Sequence, residues 1–134
     1  MIKLLFKLFK STYTKHLNAK VEKYYNIYKF DMNPNHTSHN NEGDAFKHTY
    51  MSAEFTIWFG EKVANELGLL QEDLNPSNPP AERSMDLHND EVGRKLGIEI
   101  KRKHNIIKLF FGADNIIAEK VMSAMNNGDL ITHV

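Results

Sequence analysis

Wound as a helix, residues 44–67 are apolar on nearly every side, with Phe46, Tyr50, Met51, Ala53, Phe55, Ile57, Trp58, Phe59, Val63, Ala64 and Leu67 scattered around the axis. A surface helix carries one apolar stripe; a helix apolar all round has to be enclosed by other elements. This segment is therefore expected to be the buried centre of the fold, with Gly60 as a weak point inside it and Gly68 as its stop. What surrounds it in sequence is also helical. In residues 1–28, Leu5, Phe9, Tyr13, Leu17, Val21, Tyr24 and Tyr28 recur at steps of three or four without a proline or glycine. A third helix is expected over 81–96, continuing to Lys103 if Gly97 does not end it. Ser77 or Asn78 would cap it, and the paired prolines 79–80 suit a first turn. Asp114 is read as the cap of a fourth helix to Met125, stopped by Asn126-Asn127-Gly128. Residues 106–111 are apolar and ambiguous in type, and the tail 130–134 reads as extended. The expected class is all-α: a compact bundle of four or five helices with a buried central second helix. It would form one domain over 1–134, with a basic amphipathic helix at 1–28 and a motif-bearing core at 43–125.

The chain's 134 residues, 41% of them hydrophobic, suffice for one core. Cysteine is absent, which removes disulfides, thiolate zinc sites, iron–sulfur ligation and cysteine nucleophiles. No apolar run approaches the ~18 residues of a membrane span. The start could be mistaken for a secretory signal, but Lys3, Lys7 and Lys10 split its apolar stretch and no small-residue cleavage site follows. A soluble protein is expected, cytoplasmic or secreted without a recognisable signal peptide.

The net charge of zero hides blocks. Residues 1–30 hold seven lysines against Glu22, residues 41–91 hold eleven acids against three bases, and residues 92–108 hold six bases against Glu99. Fields act locally, so these blocks either pair within the fold or attract partners, an anionic membrane surface or nucleic acid. Residues 30–43 compose a long polar loop in which His36 and His39 could cover a site, although loop histidines usually have no such role.

Two short stretches break the apolar pattern. Asp44 and His48 lie four apart on the face of the second helix that also carries Met51, Phe55 and Trp58. The inward face of the third helix runs Met85, His88 or Asn89, Val92, Leu96, flanked by Asp86 and Asp90. An unpartnered buried polar group costs roughly 1–3 kcal/mol, so two such sets on touching helices are expected to meet. The outcome would be an interior cluster of Asp44, His48, Asp86, His88, Asn89 and Asp90, with the imidazoles of His48 and His88 converging. Tyr50 and Arg94 lie within a turn of it.

Three chemistries compete for this cluster. It could be a hydrogen-bonded structural core. It could hold a divalent metal such as zinc, through His48, Asp44, His88 and Asp90, since the two motifs supply nitrogen and oxygen donors. Against a full four-ligand site, Asp86 and His88 are two apart and point about 200° apart on a regular helix. Or it could do acid–base chemistry, with one histidine as base, the other as acid, and aspartates orienting them. Asn89 and Arg94 would then contact an oxyanion or phosphate. Gly93 and Gly97 suit close helix packing better than chemistry.

The stretches Gly43-Asp-Ala-Phe-Lys-His-Thr-Tyr50 and Met85-Asp-Leu-His-Asn-Asp-Glu-Val-Gly-Arg94 resemble the paired motifs of a bacterial family, a helical domain of unknown function found in secreted and polymorphic-toxin-like proteins. Its members read approximately Asp-Ala-Phe-Arg-His-Ala-Tyr and Met-Asp-Leu-His-Asn-Asn-x-Val-Gly-Arg. Lys47 stands for the family's arginine and Asp90 for its second asparagine. Many relatives carry a His-Glu pair between the motifs; this chain has Glu66 or Glu72 there and no histidine. The likeness covers residues 43–94 and implies a shared site without naming its reaction.

The expected function is that of a hydrolase, a toxin or effector acting on a phosphodiester or phospholipid. His48, His88, Asp44 and Asp86 would be catalytic, Asn89, Arg94 and Tyr50 would bind substrate, and a cognate immunity protein would be a partner. The alternative is a non-enzymatic module that binds a membrane surface or protein through its N-terminal helix, the polar cluster being structural.

Overall fold

The computed structural model describes residues 2–32 and 41–134. His36 and His39, considered above as covers for a site, lie outside the described residues. Among the described residues five helices follow in order: α1 Ile2–Tyr28, α2 Glu42–Phe59, α3 Glu61–Asp73, α4 Pro80–Lys103 and α5 Ile106–Asn126. No strand occurs among the described residues.

As expected, α2 is central, buried without a break from Gly43 to Ile57 apart from half-buried Lys47. It does not run on to Leu67. Gly60 adopts φ 92°, ψ 160°, a conformation open to glycine and strained for other residues, and the chain turns there into α3. Apolar periodicity alone reads through such a break, because α3 continues the pattern on a new axis. Gly68 is an interior residue of α3, not a stop.

The α2–α4 seam positions the site. The two helices run parallel, and α4 approaches so closely that a Cβ added at Gly93 would lie 2.4 Å from the Thr49 carbonyl oxygen and 2.7 Å from Ser52 Cβ. At Gly97 it would lie 2.7 Å from Thr56 Cβ. Both glycines thus serve close packing, and Ser52 Oγ donates to the Asp90 carbonyl across the seam at 2.6 Å.

Three further expectations are corrected. Helix α4 is capped by Pro79 with Pro80 in its first turn; neither Ser77 nor Asn78 caps it by a side chain. Asp114 is not a cap. The ambiguous segment 106–111 is already helical, Asn105 accepts from the Lys108 N–H to start α5, and Asp114 lies further along that helix bonded to Lys20 and Tyr50. In α1, Phe6, Leu17, Val21 and Tyr24 are buried and Tyr13 is half-buried, but Leu5, Phe9 and Tyr28 are exposed. The helix is antiparallel to α2, with Tyr13 against Phe55 and Tyr24 against Phe46 and Tyr50. Its first turns therefore lie toward and beyond the Phe59 end of α2.

Candidate functional site

At the other end of α2, Asp44 and His48 point together into an open cleft of about 450 Å³. Asn41 caps α2 by accepting from the Asp44 N–H, which anchors the first turn that presents Asp44. From α4 comes Asp86 and from α3 Glu72, while Asp90, four residues after Asp86, is buried behind the His48 ring and does not line the cleft. The cleft is further lined by Lys47, Gln71, Glu82 and the loop 75–79.

His48 is held on both ring nitrogens. Nδ1 is 3.3 Å from Asp90 Oδ1, while Nε2 lies 3.4 Å from Asp44 Oδ1 and 3.3 Å from Asp86 Oδ1. Burial disfavours the imidazolium, but the hydrogen bond with Asp90 and the charges of Asp90, Asp86 and Asp44 outweigh it. The ring's pKa is raised to about 9. Burial likewise pushes the Asp86 carboxyl up to about 7, opposed by His48 and reinforced by Asp44 and Glu72. Glu72 is raised by burial too, even though it shares a hydrogen bond with Asp86. Left to itself, the cluster retains protons that ordinary carboxylates and imidazoles would have lost at neutral pH.

Two oxygens stand out. Asp86 Oδ1 and Glu72 Oε1 are enclosed with no hydrogen-bond partner, on side chains of residues only 7% and 3% exposed. Asp86 Oδ1 touches His48 Nε2 without hydrogen-bond geometry. Buried acceptors are nearly always satisfied, so such orphans call for a missing partner. One nitrogen or oxygen from each of Asp44, His48 and Asp86 lies within 4.8 Å of the others, a set able to hold one cation.

The other expected site residues are elsewhere. His48 and His88 do not converge: His88 is exposed, and its Nε2 contacts the Asp129 carbonyl at 2.7 Å. Asn89 is buried, but its amide donates to the Ile131 carbonyl at 2.8 Å and accepts from the Ile131 N–H at 2.9 Å. Residues 88 and 89 thus tie the C-terminal tail to α4. Residues 86 and 90, one helical turn apart, face α2 instead. Tyr50 belongs to the aromatic core, stacked on Phe46 and donating to Asp114 Oδ1 at 3.0 Å. Burial and the nearby Glu54 and Asp114 charges hold its phenol well above the usual range, so it is a donor and no base. Arg94 is half-buried and does not line the cleft.

Glu72 was visible in the sequence only through the resemblance, undecided against Glu66. Its own signal is local: Ala64, Gly68 and Glu72 recur every fourth residue on the buried face of α3. Gly68 allows the approach, since a Cβ there would meet Asp90 Oδ2 at 3.0 Å.

A family model described as a domain of unknown function (DUF6973) matches residues 4–129. The chain belongs to this family. The match extends well beyond residues 43–94 and takes in most of α1 and all of α5, through residue 129. No curated protein and no solved structure matches the chain.

Proposed function

We propose that the chain is a hydrolase that works with a divalent cation held by Asp44, His48 and Asp86. The observation that carries this reading is the convergence of a carboxylate-backed imidazole with Asp44 and with Asp86, whose Oδ1 has no hydrogen-bond partner. Asp90 at Nδ1 favours the tautomer with its proton there, leaving the Nε2 lone pair facing Asp44 and Asp86. Metal-ligating histidines are commonly oriented by a carboxylate in this way. Zinc and manganese both suit one imidazole with two carboxylates.

Such a cation would polarise a phosphoryl or carbonyl oxygen and acidify a water. The protein's own groups would do the rest. Glu72, which lines the cleft beside Asp86, would take a proton from water and return it to a leaving group. Lys47, with Nζ 3.8 Å from Asp44 Oδ1 at the cleft wall, would hold an anionic substrate group. His48 would act as ligand and not as the general base, and His88, Asn89, Arg94 and Tyr50 would have no direct part. The substrate class we favour is a phosphodiester presented from solution. The cleft is polar, and the exposed apolar end of the bundle lies at the far end of α2. A toxin or effector setting, with a cognate immunity protein, fits a hydrolase of this kind and is implied only by the motif resemblance.

Equilibrium dialysis against Zn²⁺ and Mn²⁺, followed by hydrolysis of bis(p-nitrophenyl) phosphate, tests the reading. One cation per chain and cation-dependent turnover are expected, both lost in His48→Gln. A folded wild-type chain that retains no cation at micromolar concentration overturns the cation site. Stoichiometric cation without turnover of phosphodiester or phospholipid overturns the hydrolase and leaves a structural cation.

A further inference from the structure

The Phe59 end of the bundle carries a surface that the cleft does not use. Where α4 turns into α5, Ile106, Ile107, Phe110 and Phe111 are between 69% and 83% exposed. They occupy the first turn and a half of α5, whose opposite face is anchored through Leu109 and Ala113. Lys101, Arg102 and Lys108 are exposed on the same corner, together with Lys103, which pairs with Glu99. The corner adjoins the end of α2: Trp58 shares a cavity with Phe110 and Phe111, while Ile98, Lys101 and Arg102 share another with Thr56 and Glu61. The residue of α1 that reaches this corner is Lys23, which lines the same cavity as Trp58, Phe110 and Phe111.

We infer that this end of the bundle is a docking surface for an anionic lipid bilayer, independent of the cleft's chemistry. Large aliphatic and aromatic side chains standing in water are unfavourable, and a contiguous group of them marks an interaction site. The surrounding bases select the partner. A second copy joined end to end would bring lysine against lysine, and nucleic acid offers nothing to bury Ile106 and Ile107. An anionic bilayer takes both: acyl chains receive the apolar tips, and headgroup phosphates receive the lysines. No helix among the described residues is long and apolar enough to cross a membrane, so the contact would be peripheral. Asp44 lies about 22 Å back along α2 from Phe59, at 1.5 Å per residue. Docking would leave the cleft open to water on the far side.

Vesicle co-sedimentation with the full chain tests this, using phosphatidylcholine alone and phosphatidylcholine with 30% phosphatidylglycerol, while Trp58, the single tryptophan, reports locally by fluorescence. Binding to the anionic vesicles is expected, with a blue shift of Trp58 emission and weakening at high salt. Phe110→Ser/Phe111→Ser should reduce binding at least tenfold, Lys101→Glu/Lys108→Glu should do likewise, and Asp86→Asn should bind as wild type. The two double variants alter only exposed side chains, and circular dichroism confirms that each is folded. Three results overturn the proposal: no binding to anionic vesicles at low salt; binding unchanged in the Phe110/Phe111 variant; or a concentration-dependent dimer, abolished by that variant, in a chain that ignores vesicles.

Discussion

The two ends of α2 break opposite rules. At the Asp44 end, four carboxyl groups and an imidazole are enclosed where apolar side chains would be more stable. At the Phe59 end, isoleucines and phenylalanines stand in water where charges would be more stable. Between them the helix packs conventionally, with Phe46, Tyr50, Ala53 and Ile57 buried against α1, α4 and α5. A single element thus spans a polar interior and an apolar exterior. Stability resides in its middle, and each end carries a local cost that a partner would remove: a cation at one, a lipid surface at the other.

The comparison is tested most severely at the carboxylate end. Asp44→Asn combined with Asp86→Asn should weaken Zn²⁺ binding more than about 100-fold, since even outer partners of metal ligands commonly contribute 10–100-fold. Isothermal titration would measure it, and vesicle binding should not change. Gly93→Ala comes next. Its methyl has no room against the Thr49 carbonyl, so α4 must back away from α2, costing roughly 1–3 kcal/mol in chemical denaturation and loosening Asp90 from His48. Asn89→Ala should cost about as much or less by leaving the Ile131 backbone unpaired, yet leave Zn²⁺ affinity within twofold, because residue 89 faces the tail.

A smaller effect follows from protonation. With its pKa raised from 6.5 to about 9, His48 stabilises the cation-free fold fully below pH 6.5 and loses that contribution as pH rises through 9. Asp86, raised from 3.8 to about 7, acts in the same direction over its own lower window. The melting temperature of chelator-treated protein should fall between pH 5 and 9, on the order of 5 °C. The fall should be shallower in His48→Gln, and bound Zn²⁺ should oppose it by favouring the deprotonated groups. The smallest effect belongs to the other end. Phe110→Ser/Phe111→Ser should shift stability by less than about 0.5 kcal/mol, as exposed positions do, while raising solubility. A large loss would mean that these rings pack in solution as they do not here.

Much of this was legible in the residues. The all-α class, the buried second helix, the close-packing role of Gly93 and Gly97 and the inward Asp44–His48 pair all follow from spacing on a 3.6-residue repeat. That repeat could not show the turn at Gly60, because a backbone break leaves no trace in apolar periodicity. Nor could it tell which side of the second motif would meet His48. Asp86 and Asp90 share one side of α4 while His88 points about 200° from Asp86, and only the positions of α2 and of the returning tail decide which side faces His48. Glu72 is the same case: its burial depends on α3 folding back over Asp90 at Gly68.

The order of polar and apolar side chains was therefore sufficient to state that helices would form, that the second would be enclosed, and that its buried polar groups needed partners. Hydrophobic burial is a local, periodic requirement, and each helix displays it alone. Which polar groups meet was decided by the approach of α2, α3 and α4. Hydrogen bonds and charge pairing act over a few ångströms, and such distances between residues 42 positions apart exist only once the helices have packed.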